Sequence, residues 1–144
     1  MKNQLFGGVV VLMIVVLGVL GCGSRKGTTD PPAKVRLEKL FAYYQEYTRQ
    51  NHKPPPNEQA FKDFLSSLPA EEKAIAHLDD VDRFLISPRD HEKYVIRYGQ
   101  VIAVGGATRA VAWEQTGVQG KRFVALSVGY VQECDEATFQ SYKK

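Results

Sequence analysis

Cysteine, histidine, tryptophan and net charge are all scarce in this chain. Its 144 residues hold 2 Cys, 3 His and 1 Trp, with a formal charge of +3. Two cysteines do not make a disulfide scaffold, and no Cys/His cluster has zinc-ligand spacing. A charge of +3 is too weak to indicate nucleic acid, so no such partner is expected. No Gly-x-Ser-x-Gly occurs, which removes the nucleophile elbow of serine hydrolases. There is no internal repeat, and the length allows one ordinary domain at most.

The remaining polar residues do not assemble a site on paper. His52, His77 and His91 lie far apart without ligand spacing, and His91 reads as part of an exposed turn. Asp79, Asp80 and Asp82 cluster, but a calcium loop needs a Gly at its bend and a distal Glu. Both are missing, so a solvated acidic loop is expected. Gly105-Gly106 follows an apolar run, yet no helix signal and no Lys-Ser/Thr follow, so it reads as a loop between strands. Cys134 sits between Glu133 and Asp135, which oppose thiolate formation, and reads as a partly buried spare thiol. No catalytic residue, metal or cofactor is expected.

What the chain does have is a pronounced N-terminus. Lys2 is the one charge before Leu5, and the 17 residues Leu5 to Gly21 carry no charged or polar side chain. A basic start followed by an apolar run is the order of an export signal. As a helix the run spans about 26 Å at 1.5 Å per residue, slightly short of the ~30 Å hydrocarbon core. An uncleaved anchor is the alternative.

The run ends Val19-Leu20-Gly21-Cys22 and continues Gly23-Ser24. This resembles the lipobox of bacterial lipoprotein precursors, with Leu20 bulkier than the usual Ser or Ala. The resemblance implies cleavage between Gly21 and Cys22. It also implies a diacylglyceryl group on the Cys22 thiol and an N-acyl chain, palmitate-type, on the new amine. Two or more chains make a stable membrane anchor, each buried CH₂ adding about 0.8 kcal/mol. Gly23 stands where some Gram-negative lipoproteins carry an inner-membrane retention Asp. A periplasm-facing protein of the cell envelope is therefore expected, on the outer membrane rather than the inner. A type IV prepilin is disfavoured, because the apolar run contains no Glu.

The expected organisation is a signal peptide over 1–21, a lipidated Cys and flexible tether over 22–33, and one domain over 34–144. Charge is uneven: residues 22–53 hold 7 basic and 3 acidic groups, 54–92 hold 4 and 9, and 93–144 hold 7 and 4. The basic start can lie against anionic head groups, although solvated faces are the simpler reading.

A helix is expected from Asp30-Pro31-Pro32, with Leu37, Leu40, Phe41, Tyr44 and Tyr47 or Thr48 on its inner face. Pro54-Pro55-Pro56 ends it as a stiff connector. Asn57 caps a second helix with a Phe61, Phe64, Leu65, Leu68 stripe. A short third helix over 70–78 is expected to point Ile75 and Leu78 inward. The period then changes to two: Tyr94, Ile96 and Tyr98 share a strand face, with 100–104 as its extension or partner. Further strands are expected over 109–115, 121–127 and 130–132, and Asp135 caps a last helical turn. Helices first and a meander after predict an α+β fold, with N-terminal helices on an antiparallel sheet of three to five strands. Tyr43 falls off the main helical face and is the candidate for an exposed aromatic contact.

Several short motifs recur in one group of proteins. They are Ile86-Ser-Pro-Arg-Asp-His91, Tyr94-Val-Ile-Arg-Tyr-Gly99, Val111-Ala-Trp-Glu114, Gly120-Lys-Arg-Phe-Val124 and Val131-Gln-Glu133. Over residues 33–140 they are similar to small, mostly uncharacterised lipoproteins and pilin-like proteins abundant in planctomycete-type bacteria. The Asp-Gly turn of that group is Val128-Gly129 here. The resemblance implies a pseudopilin-like head, one helix on a small antiparallel sheet, and no catalytic residues. The expected function is a lipid-anchored, non-catalytic interaction or structural module with an envelope protein as partner. The alternatives are an accessory pseudopilin-like component of a secretion or pilus-like system, and a small-solute-binding lipoprotein or enzyme.

Overall fold

A computed structural model describes residues 31–100 and 107–144. The expected signal peptide, Cys22, most of the expected tether, Gly105-Gly106 and nearly all of the expected 100–104 extension lie outside the described residues. The element order is α1 (Pro32–Asn51), α2 (Glu58–Ser67), α3 (Ala70–Ala76), α4 (Val81–Phe84), β1 (Val95–Ile96), β2 (Ala110–Trp113), β3 (Lys121–Leu126), β4 (Val131–Asp135) and α5 (Glu136–Tyr142). The four strands form an antiparallel meander in the order β1-β2-β3-β4. This is the expected α+β arrangement.

α1 begins at Pro32, where a missing N–H costs nothing, and has no side-chain cap. Its inner face is Ala33, Leu37, Leu40, Phe41 and Tyr44, all buried. Ala33 and Pro32 belong to the folded part, so the domain starts before residue 34. Tyr94 Oη donates to the Ala33 carbonyl at 2.9 Å, and Tyr44 Oη donates to the Arg97 carbonyl at 2.9 Å. These two bonds fasten the helix to the segment carrying β1. Burial pushes the Tyr44 hydroxyl up to about 12, against the lowering effect of the Gln100 carbonyl.

The proline connector is packed as well as stiff. Pro54 and Pro55 are buried, and the Pro55 carbonyl accepts from Gly99 N at 2.8 Å. Asn57 Oδ1 then accepts from Ala60 N at 2.9 Å, the expected cap of α2. Phe61 and Leu65 turn fully inward, and Phe64 meets Tyr47 edge-on at 5.4 Å.

α3 differs from expectation. Leu78 is buried, but Ile75 is 70% exposed and Ala76 takes the inner position. The helix ends at Ala76, and His77 adopts a left-handed conformation. The chain therefore leaves the helical period between Ile75 and Leu78, and the i, i+3 relation of these two residues is lost.

The sheet is covered on both faces. α1 lies on one, against Val111, Ala112, Phe123, Ala125 and Val131. α5 lies on the other, where Phe139 joins Trp113, Val124, Leu126 and Cys134. Double coverage explains why all four residues of β2 are buried. A register shift between Ala110 and Ala112 marks a β-bulge. It sends Val111 and Ala112 together to the α1 face and returns Trp113 to the α5 face. Tyr94, Ile96 and Tyr98 do share one face, as alternation predicts, although only Val95–Ile96 is paired as strand. Asp135 Oδ1 caps α5 by accepting from Thr138 N at 2.8 Å.

Candidate functional site

The densest polar arrangement among the described residues gathers the short motifs of the C-terminal half. The turn 87–92 closes on itself, with Ser87 N donating to the Glu92 carbonyl at 2.9 Å and His91 N to the Ser87 carbonyl at 3.0 Å. Ser87 and Glu114 are the two buried polar residues of the described core, each fully enclosed. Ser87 Oγ donates to Glu114 Oε1 at 2.9 Å. Glu114 Oε2 accepts from Phe123 N at 2.9 Å, and the Arg89 guanidinium stands 3.9 Å away. Glu114 follows β2 directly, so the sheet itself delivers this carboxylate to the interior.

Arg89 spans the neighbouring hairpin. Its Nη1 pairs with Glu133 at 2.7 Å, and its Nη2 donates to the Val118 and Lys121 carbonyls at 3.2 Å. Its guanidinium lies over the Phe123 ring at 4.7 Å. Asp90 Oδ2 accepts from Thr116 N at 3.0 Å and Gly117 N at 2.8 Å. Burial raises the Asp90 carboxyl, but the N–H donors of Gly117, Glu92 and Thr116 outweigh it and hold the group below the usual aspartate range. Gly117 has φ +71°, and a Cβ there would sit 2.2 Å from the Lys121 carbonyl oxygen. Glycine is therefore required at the point where the turn receives Asp90.

Arg122 forms a second clasp nearby. It donates to the Gln115 carbonyl at 2.7 Å and to Glu136 at 2.6 Å, and it covers the Phe139 ring at 4.4 Å. Chemically, this ensemble joins the 87–92 turn, the 116–121 turn and the start of α5 to the sheet. Ser87 is inaccessible to solvent, and its Oγ accepts from Arg89 N while donating to Glu114. Its hydrogen-bonding capacity is directed to the chain itself. Nothing in composition pointed to Glu114 as buried. The available signal was an acidic residue closing an otherwise apolar strand, downstream of a Ser-Pro-Arg-Asp turn.

The individually considered residues are placed apart. His52 and His77 terminate α1 and α3, and His91 sits in the 87–92 turn, all three at positive φ. Among the described residues no three His, Cys, Asp or Glu are grouped to hold a metal ion. Asp80 caps α4 by accepting from Arg83 N at 3.0 Å, while Asp82 pairs with Lys62 at 2.6 Å. Cys134 is buried, and burial, followed by Asp135, raises its thiol above the usual range. Tyr43 is half-buried and meets the Phe84 ring edge-on at 6.4 Å. Burial, and after it the Glu72 carboxylate, raises its hydroxyl above the usual tyrosine range. The ring is thus covered in part by Phe84 and in part open to solvent. Gly21 and Cys22 lie outside the described residues.

Two surface grooves flank α1. One, of about 280 Å³, lies beside its first two turns, against α3 and Phe84. The other, of about 220 Å³, lies between Phe41, Ala42 and the Gly129–Val131 turn. No protein-family model, curated protein or solved structure matches this chain.

Proposed function

We propose that the protein is a lipid-anchored module of the cell envelope, with acyl chains on Cys22 and a domain that binds or positions an envelope protein without catalysis of its own. The observation that carries this reading is Val19-Leu20-Gly21-Cys22 at the end of a charge-free run that follows Lys2. It is consistent with a folded domain that begins at Pro32, shortly after Cys22. No described helix is long and apolar enough to cross a membrane. The proposed location is the periplasm-facing side of the outer membrane.

Metabolic lipid labelling with membrane fractionation tests the proposal, comparing the native chain with Cys22→Ala. Label and processing should both vanish in the variant. An unlabelled native chain that keeps its first 21 residues refutes the proposal and makes the apolar run an uncleaved anchor. A second reading, an accessory component of a pilus-like or secretion system, is supported by the 20-residue α1 lying on a four-stranded meander. Crosslinking in intact cells separates the two: a ladder of self-adducts supports assembly, and a single heterologous adduct supports the module.

A further inference from the structure

Ile75 and Ile86 are far from Val35 in sequence, yet the fold brings all three to the first two turns of α1. Lys39 Nζ donates to the Ile75 carbonyl at 3.3 Å, and Arg36 Nη1 donates to the Ile86 carbonyl at 2.9 Å. Val35 is the neighbour of Arg36 on the same helix. Val35, Ile75 and Ile86 are 37%, 70% and 37% exposed, and they are half of the exposed large hydrophobic residues among those described. Beside Val35 runs the groove of about 280 Å³, lined by Pro32, Val35, Ala76 and Phe84 together with Arg36 and Lys39.

This cluster occupies the end of the domain next to the anchor. Eight residues separate Cys22 from Pro31. Even fully extended, they reach only about 30 Å. The charge is mixed rather than strongly basic: Arg36 and Arg83 line the adjoining cavity together with Asp79, Asp80 and His77, and Lys39 lines the groove itself. Exposed aliphatic side chains ringed by long cationic stems suit the boundary between head groups and acyl chains, where the stems reach the phosphates.

We infer that the face formed by Val35, Ile75 and Ile86 rests on the phospholipid surface in which the protein is anchored, so that α1 meets the membrane by its N-terminal end. This rests on the lipid-anchor reading of Cys22 and adds an orientation to it. Apolar contact supplies most of the attachment, and the small excess of cations contributes a minor, salt-screened part.

The lipidated full chain in vesicles of phosphatidylethanolamine and phosphatidylglycerol provides the test, with a spin-labelled phospholipid as quencher. A fluorophore is placed by Ile75→Cys or, at the far end of α1, by Gln50→Cys, both in a Cys134→Ala background. Fifteen residues of helix separate Val35 from Gln50, about 22 Å at 1.5 Å per residue. Quenching at 75 should exceed that at 50 several-fold, and adding Val35→Asp and Ile86→Asp should abolish the difference. Equal quenching at the two sites, in protein whose mass includes the lipid, overturns the orientation and leaves the anchor standing. A mass without lipid overturns the anchor reading and this inference with it.

Discussion

Replacing Glu114 with alanine should be among the most damaging single changes to this domain. The side chain is fully buried and receives hydrogen bonds from Ser87 Oγ and Phe123 N, both at 2.9 Å. Glu114→Ala leaves both donors in the interior without that partner. An orphaned buried polar group costs about 1–3 kcal/mol, and removing one member of a buried charged network typically costs about 3–5 kcal/mol. Arg89 keeps Glu133 at 2.7 Å, so the charge contribution is limited and the hydrogen bonds dominate. A loss of about 3–5 kcal/mol is therefore expected, against a total stability of about 5–15 kcal/mol for an ordinary domain. Glu114→Gln preserves the shape. Its amide oxygen can accept from Phe123 N while its amine donates to Ser87 Oγ, so about 1–2 kcal/mol is expected. Urea unfolding of residues 23–144 measures both variants. Trp113, the single tryptophan, sits 5.4 Å from the Phe139 ring and reports the transition by fluorescence. The reasoning is refuted if Glu114→Ala lies within about 1 kcal/mol of the parent, or if Glu114→Gln is equally harmful.

Three further outcomes follow from the same contacts. Asp90 is held below its ordinary range in the folded state, so its stabilisation is present above the unfolded value and is lost as pH falls through the folded one. The stability gap between the parent and Asp90→Asn should therefore be full at neutral pH and shrink as the acid range is entered; a gap independent of pH contradicts this. Ile75→Ser should change stability by no more than about 0.5 kcal/mol, whereas Leu78→Ala should cost about 2–5 kcal/mol, and the reverse order in urea unfolding would overturn the assigned phase of α3. Gly117→Ala places a methyl 2.2 Å from a backbone oxygen at φ +71°. It should loosen the 116–121 turn and speed amide exchange at Thr116 and Gly117, while Gly120→Ala, which meets nothing within 4 Å, should disturb exchange at those two amides less.

The elements readable in advance are those whose cause is local. Asn57 and Asp135 cap helices because a side chain reaches an N–H three residues away. The Phe61/Leu65/Leu68 stripe and the shared face of Tyr94, Ile96 and Tyr98 follow from backbone periods of 3.6 and 2. Ile75 escaped that logic because its helix stops one residue later and the chain turns through a left-handed His77. Tyr43 is half-buried because Phe84, 41 residues away, supplies a ring that no helical wheel contains.

The interior polar network was visible only as motifs without a shared place. Ser87 and Glu114 are 27 residues apart, and Glu114 is buried because the sheet carries it under the 87–92 turn. The bulge at Ala110–Ala112 changes which face each β2 side chain occupies, and only the register with β3 defines it. The sequence by itself determined the apolar run ending at Cys22, the order of helices and strands, and most caps, because each depends on residues within one or two turns. The tertiary structure alone decided which polar groups are enclosed and which aliphatic side chains remain on the surface. Burial depends on what the rest of the chain brings alongside a residue, which its immediate neighbours do not specify.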